Sequence, residues 1–501
     1  MATLAAVATL AVAVAAVALA AGPSGSVKQV GGKDGCYTTD GSSASGPGTC
    51  RKIRGGEGST SLAISPGGHF AYLDGYGRDA VVPVLSVFRR SSDGTLHQLP
   101  GKAGCFSRDG SSEDGPKTCT EARNLDSGDA TSLVVSRDGR FVYVASQLQI
   151  MNTDIGGVAI FRRNVKDGTL HQLPGKAGCV SATGGSEDGP GTCTRTRETD
   201  DISNVHITPD QKFLYASNYD SPPNSGIAIF KRGARSGRLH QLKGNNGCIT
   251  DDGTTEQSGS KVVCRKSPNL GEPWDVATPD NRFAYIPAAY GPDLVQAFER
   301  NAGGGLVPLT GKHSCVSDDG TSPAGPCVDG RGMNNVERAV LSKNKRFIYT
   351  NAYQAPSPVA VLNRNPKTGE LSERAGKAAC ISADGSSKDG PDTCRDGRAL
   401  SGGYAGILAP NGRTLYYSEY TSNVNGALAL FRVSKKTGAF SQLSGKDGCV
   451  SADGSSEDGP GTCGKARAIE GAYQVTLGSK GHDVYVAADQ GNGVALLRAA
   501  P

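Results

Sequence analysis

Methionine and tryptophan are almost missing from this chain: three Met and one Trp in 501 residues. No C-x-x-C occurs, which removes the commonest zinc-knuckle spacing. There is no long basic run and no basic helix, and Lys/Arg alternate with Asp/Glu along the chain. The formal net charge of +5 therefore gives no footprint for nucleic acid. Beyond residue 22 no apolar run is long enough to span a bilayer. What is abundant is glycine, 70 residues, with 26 prolines. High Gly with few helix formers predicts many short strands joined by turns, an all-β chain.

Residues 1–22, MATLAAVATLAVAVAAVALAAG, form the one apolar run. Small residues at Ala18 and Ala20 suit a signal-peptide cleavage site, although no Lys or Arg precedes Lys28. The segment reads as a secretory signal, with an uncleaved membrane anchor as the alternative. Export makes the protein secreted or resident in the cell envelope, where disulfides persist. The fourteen cysteines fall in sequential pairs: Cys36/Cys50, Cys105/Cys119, Cys179/Cys193, Cys248/Cys264, Cys315/Cys327, Cys380/Cys394 and Cys449/Cys463. Spacings of 12 to 16, without histidines at ligand distance, favour seven local disulfides over zinc.

Each pair belongs to a repeat. A tyrosine recurs at Tyr72, Tyr143, Tyr215, Tyr285, Tyr349, Tyr417 and Tyr485, at steps of 64 to 72 residues. In the second copy, residues 130–136 (ATSLVVS) are β-branched. Residues 140–146 (RFVYVAS) alternate at period two, 157–163 (GVAIFRR) form a third strand, and a KDG turn leads to TLHQLP. Seven four-stranded antiparallel units arranged in a ring predict a seven-bladed β-propeller over residues 25–501 as a single domain. The cysteine segment, rich in Gly, Ser and acidic residues, is expected as an excursion between the fourth strand of one blade and the first of the next, on the face of the channel mouth. The last copy lacks a fourth strand. GSVKQVGGKDGC (25–36) resembles GAFSQLSGKDGC (438–449), so residues 26–31 are expected to complete the seventh blade beside 493–498 and close the ring.

The S-x-D-G-x-x-x-Y-V hairpin followed by a VAIFRRN-like strand, best seen in SRDGRFVYVAS (136–146) and TPDQKFLYASN (208–218), resembles the lactonase-type seven-bladed propellers. That family includes bacterial phosphogluconolactonase and fungal carboxymuconate cyclase. The resemblance implies a hydrolase or cycloisomerase acting in the central channel on histidine, glutamate and arginine. The cysteine loops are an addition to that pattern.

Where the repeat is broken by polar residues, a site is expected. The first strands of copies four and five bring Glu272, Trp274, Asp275, Glu337 and Arg338 to one rim, and copy three contributes Asn204 and His206. In the catalytic reading, a carboxylate, Glu272 or Glu337, serves as base on water, Arg338 stabilises an oxyanion, and His206 is a further catalytic candidate. In the binding reading, Trp274, Asp275 and Asn204 contact a ligand, with Tyr219, Tyr290, Tyr353 and Tyr420 of the neighbouring loops, beside Tyr76, stacking a sugar or aromatic group. Glu272, Asp275 and Asn204 are also oxygen donors suited to calcium. The same residues admit a structural reading: Glu337 and Arg338 in ion pairs around the channel, Asp275 capping a turn, Trp274 as a packing residue or plug. The acidic DGSSEDGP loops lack the order of a calcium-binding EF-hand and read equally as tight turns. His97, His171 and His240 lie on the outer LHQL strand and belong to no site. No cofactor is implied. The expected partner is a small molecule, glycan or protein at the loop face, bound by a monomer. The functional readings are an exported binding propeller, a lactonase-like enzyme, and a structural cell-surface protein.

Overall fold

The computed structural model describes residues 24–77, 82–125, 132–147, 149–150, 153–154, 156–218, 225–257, 260–354, 358–420 and 426–500. Seven sheets, one per repeat, form the seven-bladed β-propeller. The N-terminal apolar run and Tyr219 lie outside the described residues. Among those residues, no helix is long and apolar enough to cross a membrane.

The second blade shows the pattern. Leu133–Val135, Phe141–Ser146 and Gly157–Arg163 pair antiparallel from the channel outward. The fourth strand comes in two pieces. Leu170–Gln172 pairs with the end of Gly157–Arg163, and Cys179–Ser181 pairs with its beginning, across a single 3-10 turn at Gly175–Gly178. The first cysteine of each pair therefore belongs to the blade itself, and only the segment after it is an excursion. That segment returns as a two-residue parallel strand, here Thr194–Arg195, which the sequence pattern does not announce. All seven disulfides join the expected partners: Cys36–Cys50, Cys105–Cys119, Cys179–Cys193, Cys248–Cys264, Cys315–Cys327, Cys380–Cys394 and Cys449–Cys463. The register sets Cys179 beside Ala159, at the end of the blade where the first strand enters the channel. The clipped loops thus stand on the mouth face.

Contacts between blades explain why the repeat keeps its residues. The hydroxyl of Tyr72 donates to Gly168 O at 2.9 Å, and that glycine, in the KDG turn of the next blade, has φ +81°. A Cβ on Gly168 would come within 2.1 Å of the Phe70 ring. Tyr143 and Gly237, Tyr215 and Gly304, Tyr285 and Gly369, and Tyr349 and Gly438 repeat the contact. Arg163 and Arg364, from the third strands, reach back to the Tyr72 and Tyr285 hydroxyls. In the sixth blade the residue in this role is Tyr416, which reaches Gly25 O at 3.4 Å, and not Tyr417. Tyr417 is the next residue in the strand, so its ring faces the opposite side, among Tyr349, Val361 and Phe431.

The glutamine of LHQL is a second clasp. Gln172 Oε1 accepts the Arg123 N–H at 2.9 Å, while its Nε2 donates to Arg123 O and Gly178 O. Gln98, Gln241, Gln442 and Gln29 do the same for Arg54, Arg197, Arg398 and Arg467. In the acidic loops, Glu113, Glu187 and Glu457 accept backbone N–H groups of the preceding connector at Gly55, Asn124 and Ala399. Asp40, Asp109, Asp384 and Asp453 close Asx turns with the serine two residues on, which lowers their pKa values.

The N-terminal strand closes the ring. Val27, Lys28 and Gln29 pair with Ala499, Arg498 and Leu497, and Cys36 with Ala495. Gly25 supplies the turn carbonyl for Tyr416 and Gln29 the clasp for Arg467, so residues 25–36 take every role that 438–449 take in the sixth blade.

Candidate functional site

The seven first strands stand side by side around the channel, and much of their polarity is used to stitch them together. Ser61 Oγ accepts the Leu133 N–H at 3.2 Å and Ser132 Oγ the Val205 N–H at 2.9 Å. Asp275 Oδ2 accepts the Ala339 N–H at 3.3 Å, and Gln474 Oε1 accepts the Leu62 N–H at 2.7 Å. His206 Nε2 shares a 2.6 Å hydrogen bond with Thr278 Oγ1. Burial lowers the His206 pKa, against a smaller opposing pull from Asp275, so the imidazole is neutral at pH 7.

At the mouth, β-bulges displace one residue of the first strand in several blades, among them Glu337, Tyr404 and Tyr473. Tyr404 and Tyr473 lie with ring centroids 4.0 Å apart. Trp274, Tyr353 and Tyr420 pack around Tyr404 at 6.3, 5.7 and 5.3 Å. Trp274, Tyr404 and Tyr473 are buried, so this cluster is a plug whose rings spend their faces on each other. The Tyr420 and Tyr76 hydroxyls both donate to the buried Asp489, at 2.8 and 2.7 Å. Tyr290 stands apart on the rim, 45% exposed, beside a cavity lined by Asp251, Asp293 and Asp318. Glu272 sits half-buried near Tyr290.

Glu337 is buried under the plug, and its Oε2 has no hydrogen-bond partner. Burial pushes its pKa up to about 8 and the neighbouring Arg338 pulls it back only in part, so the carboxyl is largely protonated at neutral pH. Its charge, when present, is felt by Tyr290, Tyr353, Tyr404 and Tyr473. Glu337 and Arg338 make no ion pair within 4.0 Å among the described residues.

Arg338 turns into the channel. Its Nη1 donates to Trp274 O at 2.5 Å, and its Nε is buried without a partner. Together with Thr60, Ser132, Asn204, Asp275, Ala405 and Tyr473 it lines a cavity of about 210 Å³ to which all seven blades contribute. The sequence pattern sets Arg338, Asp275 and Asn204 near one another, and the cavity brings them together. Glu337 lies beside Arg338 within the wall, His206 pairs with Thr278 instead, and Glu272 and Tyr290 remain at the rim. Tyr404, Tyr473 and Asp489 are positions of the channel mouth that the sequence reading does not single out. The signal is present for the first two: tyrosine follows the strand's opening residue in both the sixth and seventh copies, GYAG and AYQV. Among the described residues no group of three or more His, Cys, Asp or Glu is placed to hold a metal.

Comparison with solved structures agrees with this architecture. A candidate 6-phosphogluconolactonase from Bacteroides fragilis aligns over 87% of this chain and 89% of its own, at 15% identity and a TM-score of 0.50. What the two share is the β-propeller fold. A periplasmic gluconolactonase from Pseudomonas aeruginosa aligns over 77% and 84%, at 15% identity and a TM-score of 0.46. No protein-family profile matches the chain, and no curated protein matches its sequence. At such identities the likeness is one of fold alone.

Proposed function

We propose that the protein is an exported binding propeller that takes one small polar molecule into its central channel. The observation that supports this reading best is Arg338: a buried guanidinium with one backbone partner and, among the described residues, no carboxylate in ion-pair range, facing a cavity. Such a group is costly to bury without compensation, and a bound ligand compensates it. Ligand cavities characteristically combine apolar walls with a few convergent polar groups, here Arg338, Asn204 and Asp275 against Val340, Ala405 and Ile407. Export rests on the apolar N-terminal run and the seven disulfides, which belong to an oxidising compartment. N-terminal sequencing of the secreted protein should begin before Gly25.

The test is a thermal-shift screen of sugars, lactones, organic acids and amines against the intact protein and an Ala405→Leu variant that fills the cavity. A ligand present at about a hundred times its Kd stabilises by about 2.7 kcal/mol. A hit should lose its shift in the variant. A hit unaffected by Ala405→Leu would place binding elsewhere. The second reading, a lactonase-like hydrolase, draws on the fold and on a protonated Glu337 beside Arg338, an acid next to an oxyanion stabiliser. It requires lactone turnover that falls in both Glu337→Gln and Arg338→Met.

A further inference from the structure

We propose that the molecule taken into the channel is a small zwitterion of the aliphatic α-amino acid class, with its carboxylate on Arg338 and its ammonium on Asp275. This rests on the channel-binding reading and adds the ligand's charge. The cavity wall carries one cation, Arg338, and one anion, Asp275, and no others. They do not neutralise each other, since no ion pair within 4.0 Å joins them or joins either to another described residue. Arg338 keeps donors in reserve: Nη1 is used on Trp274 O, while Nε has no partner. Asp275 holds the Val276 and Ala339 N–H groups at 2.8 and 3.3 Å, one on each oxygen. A carboxylate can accept about four hydrogen bonds, so each oxygen keeps acceptor capacity.

The groups behind this pair add no net charge at neutral pH. His206 adjoins Asp275, hydrogen-bonds Thr278 and is kept neutral by burial, and Glu337 adjoins Arg338 with its carboxyl largely protonated. A monoanion would satisfy Arg338 while meeting Asp275, a monocation would do the reverse, and a neutral sugar would leave both charges unmatched. A molecule carrying both charges bridges the gap. The remaining wall, Val340, Ala405, Ile407 and Val475, is apolar and suits a short aliphatic side chain, and Asn204 adds an amide without a side-chain partner among the described residues. The volume of about 210 Å³ exceeds the roughly 150 Å³ that admits benzene, so the space has room for a small amino acid.

Isothermal titration of the intact protein with L-alanine and its two halves, propionate and ethylamine, tests the inference, with glucose and gluconolactone as neutral probes. L-Alanine should bind at least tenfold more tightly than either half. Asp275→Asn, which removes the charge and keeps one acceptor oxygen for the Val276 and Ala339 N–H groups, should cut alanine affinity at least tenfold and strengthen propionate, which no longer meets a like charge. Arg338→Met should cut alanine affinity and strengthen ethylamine, which no longer meets a like charge. Propionate or ethylamine binding as well as alanine would overturn the zwitterion. A neutral probe binding where alanine does not would overturn it while leaving the channel reading intact. Alanine binding undiminished in Ala405→Leu would overturn the channel reading itself. The selectivity among probes is measured on the unmodified protein, so it stands even if a variant fails to fold.

Discussion

Replacing Glu337 by glutamine should stabilise the protein, and by an amount that grows with pH. In the unfolded chain this carboxyl titrates near 4.5, and in the fold burial raises its pKa to about 8. Below the lower value both states are protonated and the group is neutral to stability. Between the two values the unfolded chain loses its proton and the native chain keeps it, so stability falls as pH rises. Above the upper value the penalty is complete. Each pH unit of separation is worth about 1.4 kcal/mol, which puts the full penalty near 5 kcal/mol. The glutamine side chain would carry no such penalty, and it replaces a carboxylate oxygen of Glu337 that has no hydrogen-bond partner to lose. The difference between variant and parent should therefore open from near zero at about pH 4.5 to several kcal/mol at about pH 8.5. With an unfolding entropy of roughly 2 cal/mol/K per residue, this corresponds to about 5 °C in Tm for a domain of this length. Differential scanning calorimetry of both proteins across that range measures it. His206 titrates in both proteins and cancels from the difference. A gap in Tm that stays flat from about pH 4.5 to 8.5 would refute the account of Glu337 as a buried neutral acid.

Removing one clip, by Cys179→Ala with Cys193→Ala, opens a 14-residue separation and should cost about 3 kcal/mol at most in the chain-entropy model; limited proteolysis should then cut within residues 182–192 before any other site. Gln172→Leu leaves the Arg123 N–H and two carbonyls without their partner and should cost about 1–3 kcal/mol in denaturant unfolding, whereas His171→Leu, one residue away on the exposed side, should cost under about 0.5 kcal/mol. Deleting residues 24–31 uncovers the edge of Gly493–Ala499, and size-exclusion chromatography should show oligomers or aggregate in place of the closed ring.

The fold was largely legible because the residues that repeat are those that join one blade to the next. The tyrosine, the turn glycine and the third-strand arginine recur together since Tyr72, Gly168 and Arg163 touch across an interface that recurs around the ring. Where the interface changes, so does the pattern. The seventh copy has Asp483 in place of the phenylalanine, and there it lies against the turn glycine Gly94 and pairs with Arg90 and Arg498. The tyrosine of the sixth copy escaped because TLYY offers two tyrosines; spacing from the turn glycine, Gly412 as Gly139 is to Tyr143, selects Tyr416, which is the one that reaches Gly25. The split fourth strand and the parallel fifth strand were not legible. Pieces of two and three residues have no periodicity of their own, and they exist because the third strand offers an edge to pair with.

The site was less legible for a related reason. A polar residue on a first strand can serve the ring or a ligand, and its identity does not say which. Ser61, Ser132, Gln474 and His206 all turn out to bind the neighbouring strand, and Asp275 does so with part of its capacity. What separates a ligand group from a stitch is the bond it fails to make, and that is a property of the surroundings. Arg338 and Glu337 are adjacent in sequence and would be paired on any reading of charge alone. The bulge at Glu337 turns one into the wall beneath the plug, where burial neutralises it, and the other toward the cavity. The arginine thereby keeps its charge and loses its nearest counter-ion. Seven blades of stitched strands leave one guanidinium and one carboxylate facing the same small space without touching, and that imbalance carries the functional argument.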